Sequence, residues 1–350
     1  MAEINTSNAA TMDAAGRPQR NVVLDLLLRG GGLVAVIILL AIVLVILKPN
    51  LGNLNVLSTL LRSMVSIAIV AIGLTLVIIA GEIDLSFGAV YGLALNALAV
   101  MWVVGGLSIF MAVPLAIAIG AAVGLVNGVL VTVVKIPAFI VTLGTYSFVQ
   151  GITLWVSRTQ TFDAAYPPPG RTIPPFEYDF FIGLTQRIGS IQLSLAVFWL
   201  IAIAIVFGIL LHRTLFGFRL MAIGGNPIAA QLARLPVRKY KILAFMLCGA
   251  LAAVAAVLQF SYAHNSQPNA GLEMTFPVFA AVIIGGASLS GGKGTIIGTL
   301  LGALLLSVLT LGLSVLSPGP HVQQMFLGAI TIGAVALDLW LGKVRRARAA

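Results

Sequence analysis

Charge and cysteine are what this chain is short of. Only nine per cent of its 350 residues are charged, and ten of those are acidic, where soluble globular domains carry about a quarter charged. A soluble fold is excluded, and a mean hydropathy of +1.10 with 60% hydrophobic residues makes this a polytopic membrane protein. The single cysteine, Cys248, lies in an apolar run, which leaves no disulfide framework and no thiolate metal cluster. His212, His264 and His321 are scattered singly. No HExxH, paired-cysteine or GxSxG spacing occurs, so an intramembrane hydrolase has neither metal nor nucleophile. Around Lys293 the string SGGKGT imitates a phosphate loop, but Gly294 stands where the magnesium-binding Ser or Thr must follow the lysine. No ATP site, no other cofactor, no metal and no catalytic residue is expected.

Long apolar runs are what the chain has. A span needs about 20 apolar residues, and ten segments qualify: 31–47, 56–80, 85–104, 107–134, 136–156, 193–211, 242–263, 276–292, 295–317 and 322–341. The fold class is therefore all-α, with about ten transmembrane helices. The segments near 81–88 and 276–292 are glycine-rich and are candidates for re-entrant rather than full crossings. The opening MAEINTSNAATMDAAGRPQRN is polar and lacks the apolar core of a cleavable signal. The first run after Arg29 is expected to remain as a span.

Charge then sets the orientation. The stretch 212–241, HRTLFGFRLMAIGGNPIAAQLARLPVRKYK, holds six Lys or Arg and no acid, and such loops stay on the cytoplasmic side. With ten crossings the N-terminal Arg17, Arg20 and Arg29, Lys135, this loop, Lys293 and the tail from Lys343 to Arg348 all fall inside; Lys48, Arg158, Arg171 and Arg187 fall outside, and Arg62 lies in a span near its outer end. Residues 1–30 then form a cytoplasmic tail, 31–342 the transmembrane domain and 343–350 a second cytoplasmic tail. The net charge of +10 is thereby explained by topology and anionic lipid, not nucleic acid. The outer connection 157–192 contains YPPPG and TIPPF, which favour extended or polyproline chain. It suits an external partner or a cap, or is an irregular surface loop.

Inside the basic loop Gly224 and Gly225 break any helix, Asn226 is an N-cap and Pro227 suits the first helical position. IAAQLAR then allows about two turns. This is either a solvated basic loop or a docking helix for a soluble partner.

Two segments echo one another. VIIAGEIDLSFGAVYGLALNAL (77–98) and VIIGGASLSGGKGTIIGTLLGALL (282–305) share a VII start, a glycine break, a Leu-Ser pair and a small-residue-rich helix. Transport proteins use such half-to-half repeats, with the breaks lining the solute path; chance similarity between glycine-rich runs competes. Glu82 and Asp84, in the first break, are carboxylates that cost several kcal/mol in lipid unless they meet water or a partner. Asp84 or Ser86 could cap the next helix; a proton relay is the other use. Asn96, Asn127, Thr142, Thr145, Gln150 and Gln259 are neutral polar residues in apolar spans, able to bond neighbouring helices or a polyhydroxy solute.

Four blocks, GEIDLSFGA (81–89), NGVLVTVVKIPAFIVTLGT (127–145), TLFGFRLMAIGGNPIAAQLARLPVRKYK (214–241) and FAAVIIGGASLSGGKGTIIGTLLGALL (279–305), resemble in order and spacing the membrane subunits of ribose-type ABC sugar importers. The resemblance implies an all-helical, non-catalytic permease in the bacterial inner membrane. It implies pairing with a second permease copy or paralogue, a periplasmic solute-binding protein that delivers the solute and a cytoplasmic ABC ATPase that drives transport. It also implies that Gly224, Gly225, Asn226, Pro227, Ala229 and Ala230 form the coupling helix in a groove of that ATPase. The translocation path is expected to include Glu82, Asp84, Ser86, Asn96, Asn127, Thr142 and Thr145. Glu82 departs from the family, which has glycine there, so pentoses, hexoses, polyols and furanoses all stay open. The competing function is an ion-coupled secondary transporter using Glu82 and Asp84.

Overall fold

A computed structural model describes residues 31–190, 192–316 and 319–347. The N-terminal Arg17, Arg20 and Arg29, and Arg348 at the far terminus, lie outside the described residues. Thirteen α-helices are described: α1 Gly32–Leu47, α2 Leu54–Ile79, α3 Phe87–Ala99, α4 Ile109–Val129, α5 Ala138–Ser157, α6 Pro175–Gly183, α7 Leu195–Arg213, α8 Leu215–Gly225, α9 Pro227–Leu232, α10 Val237–Ala263, α11 Thr275–Ile284, α12 Ile296–Leu316 and α13 Pro320–Ala347. Strand is confined, among these residues, to two two-residue pairings: β1 Phe162–Asp163 with β4 Asn265–Ser266, and β2 Arg187–Ile188 with β3 Leu193–Ser194.

The protein is an all-helical bundle. Seven helices, including α3 and α4 with the π-turns that extend them, are long and apolar enough to cross a membrane, while 32–47 and 272–284 are shorter apolar helices and 321–336 is an apolar part of α13, at the other three expected places. Ten spans is thus approximate. The tail expected from 343 onward continues α13 as far as Ala347.

α2 is the hub. From Ala68 to Ile79 every residue is buried, and α10, α11, α12 and α7 pack around it. α3 is buried along its whole length between α10, α5 and α4. Close approach comes from small residues: a Cβ on Gly120 or Gly124 of α4 would lie 2.4 and 2.2 Å from the Gly249 and Phe245 carbonyl oxygens of α10. Helices in lipid gain little from burying apolar surface and associate instead through such backbone contact. Large apolar side chains point outward, among them Phe148 (71% exposed) and Trp155 (80%) on α5, as a lipid-facing surface requires.

Two expectations are corrected by the elements themselves. The basic loop is largely helical: LFGFRLMAIGG forms α8, and Gly224 and Gly225 end that helix instead of interrupting a loop. In the outer connection, TIPPF does not continue as polyproline, because Pro174 stands at the N-cap and Pro175 opens α6 with the fixed φ that suits a first turn.

Candidate translocation site and coupling loop

The two echoing segments fold alike. After VII, Gly81 (φ 79°) and Gly286 (φ 87°) both turn left-handed. Gly81 N donates to Ile78 O and Glu82 N to Val77 O; Gly286 N donates to Ile283 O and Ala287 N to Val282 O. Both are Schellman ends, the paired closure that a left-handed residue allows. The breaks also meet: Gly292 N donates to Ile79 O at 2.9 Å, and a Cβ on Gly291 would lie 2.9 Å from Gly81 Cα.

Polar residues collect behind the first break. Asp84, 2% exposed, accepts from Ser86 N at 2.8 Å and Ser86 Oγ at 2.6 Å. Asn127 Nδ2 donates to Ser86 Oγ at 2.8 Å, and Thr145 Oγ1 to Asn127 Oδ1 at 2.6 Å. Thr142 Oγ1 donates to Ala138 O at 2.9 Å and reaches Ile83 O at 3.4 Å. One chain of hydrogen bonds therefore joins α3, α4 and α5. Ser86 does occupy the N-cap of α3, but it makes no side-chain cap. Its hydroxyl is turned to Asp84, which forms an Asx-turn because a short carboxylate readily accepts from the amide two residues on.

Glu82 goes elsewhere. It forms an ion pair and hydrogen bond with Lys241 of α10 at the edge of a cavity of about 670 Å³ that also borders Thr132, Lys135, Gln231 and Arg238. The two carboxylates are thus held by different partners and do not face one another.

Asn96 is also separate, ten residues along α3 from Ser86, about 15 Å at helical rise. Its Nδ2 donates to Gly92 O at 2.9 Å and to Gln267 O at 3.0 Å, while Oδ1 is buried without a partner. Gln267 belongs to a non-helical stretch ahead of the short α11, packed so closely on α3 that a Cβ on Gly88 would lie 2.6 Å from Gly271 O and one on Gly92 2.4 Å from Ala270 O. Irregular backbone at membrane depth needs protein cover of this kind. Gln150 Nε2 reaches Pro268 O and Asn269 Oδ1 at 3.5 Å. The stretch 265–271 was not legible as part of a site; the paired Gly88 and Gly92 facing it were the available signal.

At the same end as Glu82, Asn226 Oδ1 accepts from Ala229 N at 3.0 Å, with Pro227 opening α9. Gly224 and Ala230 are buried, whereas Gly225, Asn226, Pro227 and Ala229 are exposed. A Cβ on Gly224 would fall 1.7 Å from Ile79 O, so this glycine serves the joint between the breaks. Ile228 and Leu232, absent from the sequence-derived set, are 74% and 82% exposed.

Long apolar helices around a hydrogen-bonded polar interior, with a half-length helix entered through unwound chain, define a membrane protein of the solute-translocating class. Residues 56–335 match the family described as the branched-chain amino acid transport system permease component, and the chain belongs to that family. It is 34% identical over 307 residues to the ribose import permease protein RbsC of Escherichia coli K12, covering 87% of this chain and 92% of that one. It is 34% identical over 326 residues to the galactose/methyl galactoside import permease protein MglC of Escherichia coli K12, 89% and 94% covered, and 32% identical over 300 residues to the fructose import permease protein FrcC of Rhizobium meliloti, 86% and 82% covered. These relatives are permeases, not enzymes. The resemblance carried by the four blocks is borne out, and no solved structure matches the chain.

Proposed function

We propose that this chain is the permease subunit of an ABC importer in the bacterial inner membrane, forming the path for a sugar or sugar-like solute. A periplasmic binding protein delivers the solute, a second permease copy or paralogue completes the pore, and a separate cytoplasmic ATPase drives the cycle. The substrate class follows the printed functions of the relatives, which name ribose, galactose and fructose. Both tails and 212–241 are cytoplasmic in this reading. The path runs by Asp84, Ser86, Asn127, Thr142 and Thr145, and by Asn96 where the unwound stretch meets α3; Glu82 stands at its cytoplasmic mouth.

The observation that carries the coupling is α9. Two large apolar residues, Ile228 and Leu232, stand exposed on a capped helix that is anchored from behind by buried Gly224 and Ala230. Ile228 and Leu232 lie one turn apart beside a basic surface, which supports a contact with another protein there. Of the six residues first assigned to coupling, Gly225, Asn226, Pro227 and Ala229 are available to a partner, with Ile228 and Leu232 as its apolar anchors. Ala229→Arg and Leu232→Asp should leave membrane levels unchanged while the ATPase no longer copurifies and uptake is lost, because overpacking such a contact costs about 1–3 kcal/mol. Normal copurification and uptake in both variants would refute the coupling role. The ion-coupled alternative lacks a favouring observation: Glu82 is paired with Lys241 and Asp84 is occupied by Ser86.

A further inference from the structure

Arg62 sits in α2 about 25 Å from Ile79 at a rise of about 1.5 Å per residue, so it lies at the end of the bundle opposite α9. It is 6% exposed. Its guanidinium stacks on the Tyr262 ring, 3.8 Å from the centroid, and Nη2 donates to Gln259 Oε1 at 2.9 Å. Its Nε is buried with no acceptor. One turn along α2, on the same face, Ser66 is buried as well, and the Tyr91 phenol comes up beside Arg62 and within hydrogen-bonding reach of the Ser66 hydroxyl. From β2, the short strand that follows α6, Arg187 Nη2 donates to Tyr262 Oη at 3.2 Å. A second guanidinium therefore meets the same ring. Among the described residues the ion pair is Lys241 with Glu82, at the other end, so neither arginine has a carboxylate.

A buried guanidinium at membrane depth is costly unless paired, and a stacked ring returns only part of what water supplied. The cluster is rich in donors and poor in acceptors. A neutral sugar hydroxyl could satisfy a donor but would leave both charges. An oxyanion does both, because two or three oxygens can accept from a guanidinium fork and a hydroxyl at once.

We propose that Arg62, Ser66, Tyr91 and Arg187, gathered around the Tyr262 ring, form a binding site for one oxyanion, a phosphate or carboxylate group, at this end of the bundle. The group has two sources: the phosphate of a phospholipid in the adjoining leaflet, or a soluble anion. The site is separate from the Asp84 chain, and its test needs neither an ATPase nor a binding protein.

The 350-residue chain carries one cysteine, the buried Cys248, so unfolding in neutral detergent can be followed with a thiol-reactive dye. Inorganic phosphate, glucuronate and phosphatidylglycerol are titrated separately, with chloride at matched ionic strength as control. The wild type should show a saturable rise of a few degrees in the midpoint, as ligand linkage requires. Saturation by phosphate or glucuronate marks a soluble anion as the occupant; saturation by phosphatidylglycerol alone marks a lipid headgroup. Arg62→Gln should abolish the response, and Arg187→Gln should raise the half-saturating concentration by about tenfold, the loss of one charged hydrogen bond. Arg187 is exposed, so its variant decides the matter even where Arg62→Gln fails to fold. A flat response to all three anions, or an Arg187→Gln response equal to wild type, overturns the site.

Discussion

The two ends of the bundle are closed by different materials. At the basic end, where α8, α9, Lys135 and Lys241 gather, the joint is backbone on backbone: Gly81, Gly224, Gly291 and Gly292 lie against one another and against Ile79 O. At the far end it is side chain on side chain: Trp102 meets Phe181 edge-on at 5.0 Å and Phe260 at 6.1 Å, and Glu177 accepts from Trp102 Nε1 at 3.0 Å and Ile109 N at 2.9 Å. The glycine joint fixes the ends of α2, α8 and the second break at backbone distance, with no side chain to give way. The aromatic joint holds by area, and rings can repack. Under the proposed function, a stiff joint under α9 would suit a site where force is received, and a softer one the end where solute arrives.

The largest effect should come from the stiff joint. Gly224→Ala places a methyl 1.7 Å from Ile79 O, which only separation of the helix ends can relieve. Folded protein recovered from membranes should fall sharply. Gly286→Ala is the matched control, since its Cβ meets nothing within 4 Å and only the left-handed φ of 87° is penalised, by about 1 kcal/mol. Equal yields for the two variants would show that the backbone contact at Gly224 is not what makes the basic end stiff.

Trp102→Ala tests the far end. Trp102 is 2% exposed, and truncating a buried tryptophan costs about 3–5 kcal/mol. The protein should still insert, with a lowered unfolding midpoint. Trp102→Phe, which keeps an aromatic edge, should recover most of the loss; failure to do so would mean that this joint is as unyielding as the other.

Much of this was legible in the sequence, for identifiable reasons. Long apolar runs fold as helices, so most of the expected segments were placed to within a few residues, whereas the helix in 276–292 ends at Ile284; Asn226 with Pro227 encodes a helix start through its capping side chain and fixed φ. α8 was hidden because it lies within the basic stretch 212–241 and was read with it as a loop, although it holds only Arg219 of those basic residues and its Leu220 and Ile223 are buried. The residues expected along the path divide into the Asp84 chain, Asn96 and Glu82 because contact between helices decides their partners. Spacing along the chain carries no record of the Gln267 carbonyl that meets Asn96, nor of Lys241, 159 positions from Glu82.

The Glu82–Lys241 pair ranks third. Its side chains are 17% and 14% exposed, so screening is incomplete, and residues in direct contact couple by about 1–2 kcal/mol. A double-mutant cycle with Glu82→Gln and Lys241→Met, read by thermal unfolding, should return that coupling, with the double variant more stable than the sum of the singles implies. Simple additivity would show that the pair contributes nothing to the basic end.

The smallest effect belongs to Glu177, and pH exposes it. Burial raises this carboxyl, but the hydrogen bonds from Ile109 N, Ser108 and Trp102 outweigh burial and hold it below its ordinary value of 4.5. A group depressed on folding contributes stability that is fully present above the unfolded value and is lost as pH falls through the folded one. At pH 7 Glu177→Gln should therefore unfold slightly earlier than the wild type, by about 1–2 °C for one exposed-side hydrogen-bonded charge. As pH drops below 4.5 the wild-type carboxylate protonates and the difference should close. Because the carboxylate ties α6 to the start of α4 and to Trp102, the gap should also vanish at neutral pH in a Trp102→Ala background that has already opened the joint. A difference that persists unchanged to low pH would show that Glu177 acts by shape and not by charge, and that the far end is held by its rings alone.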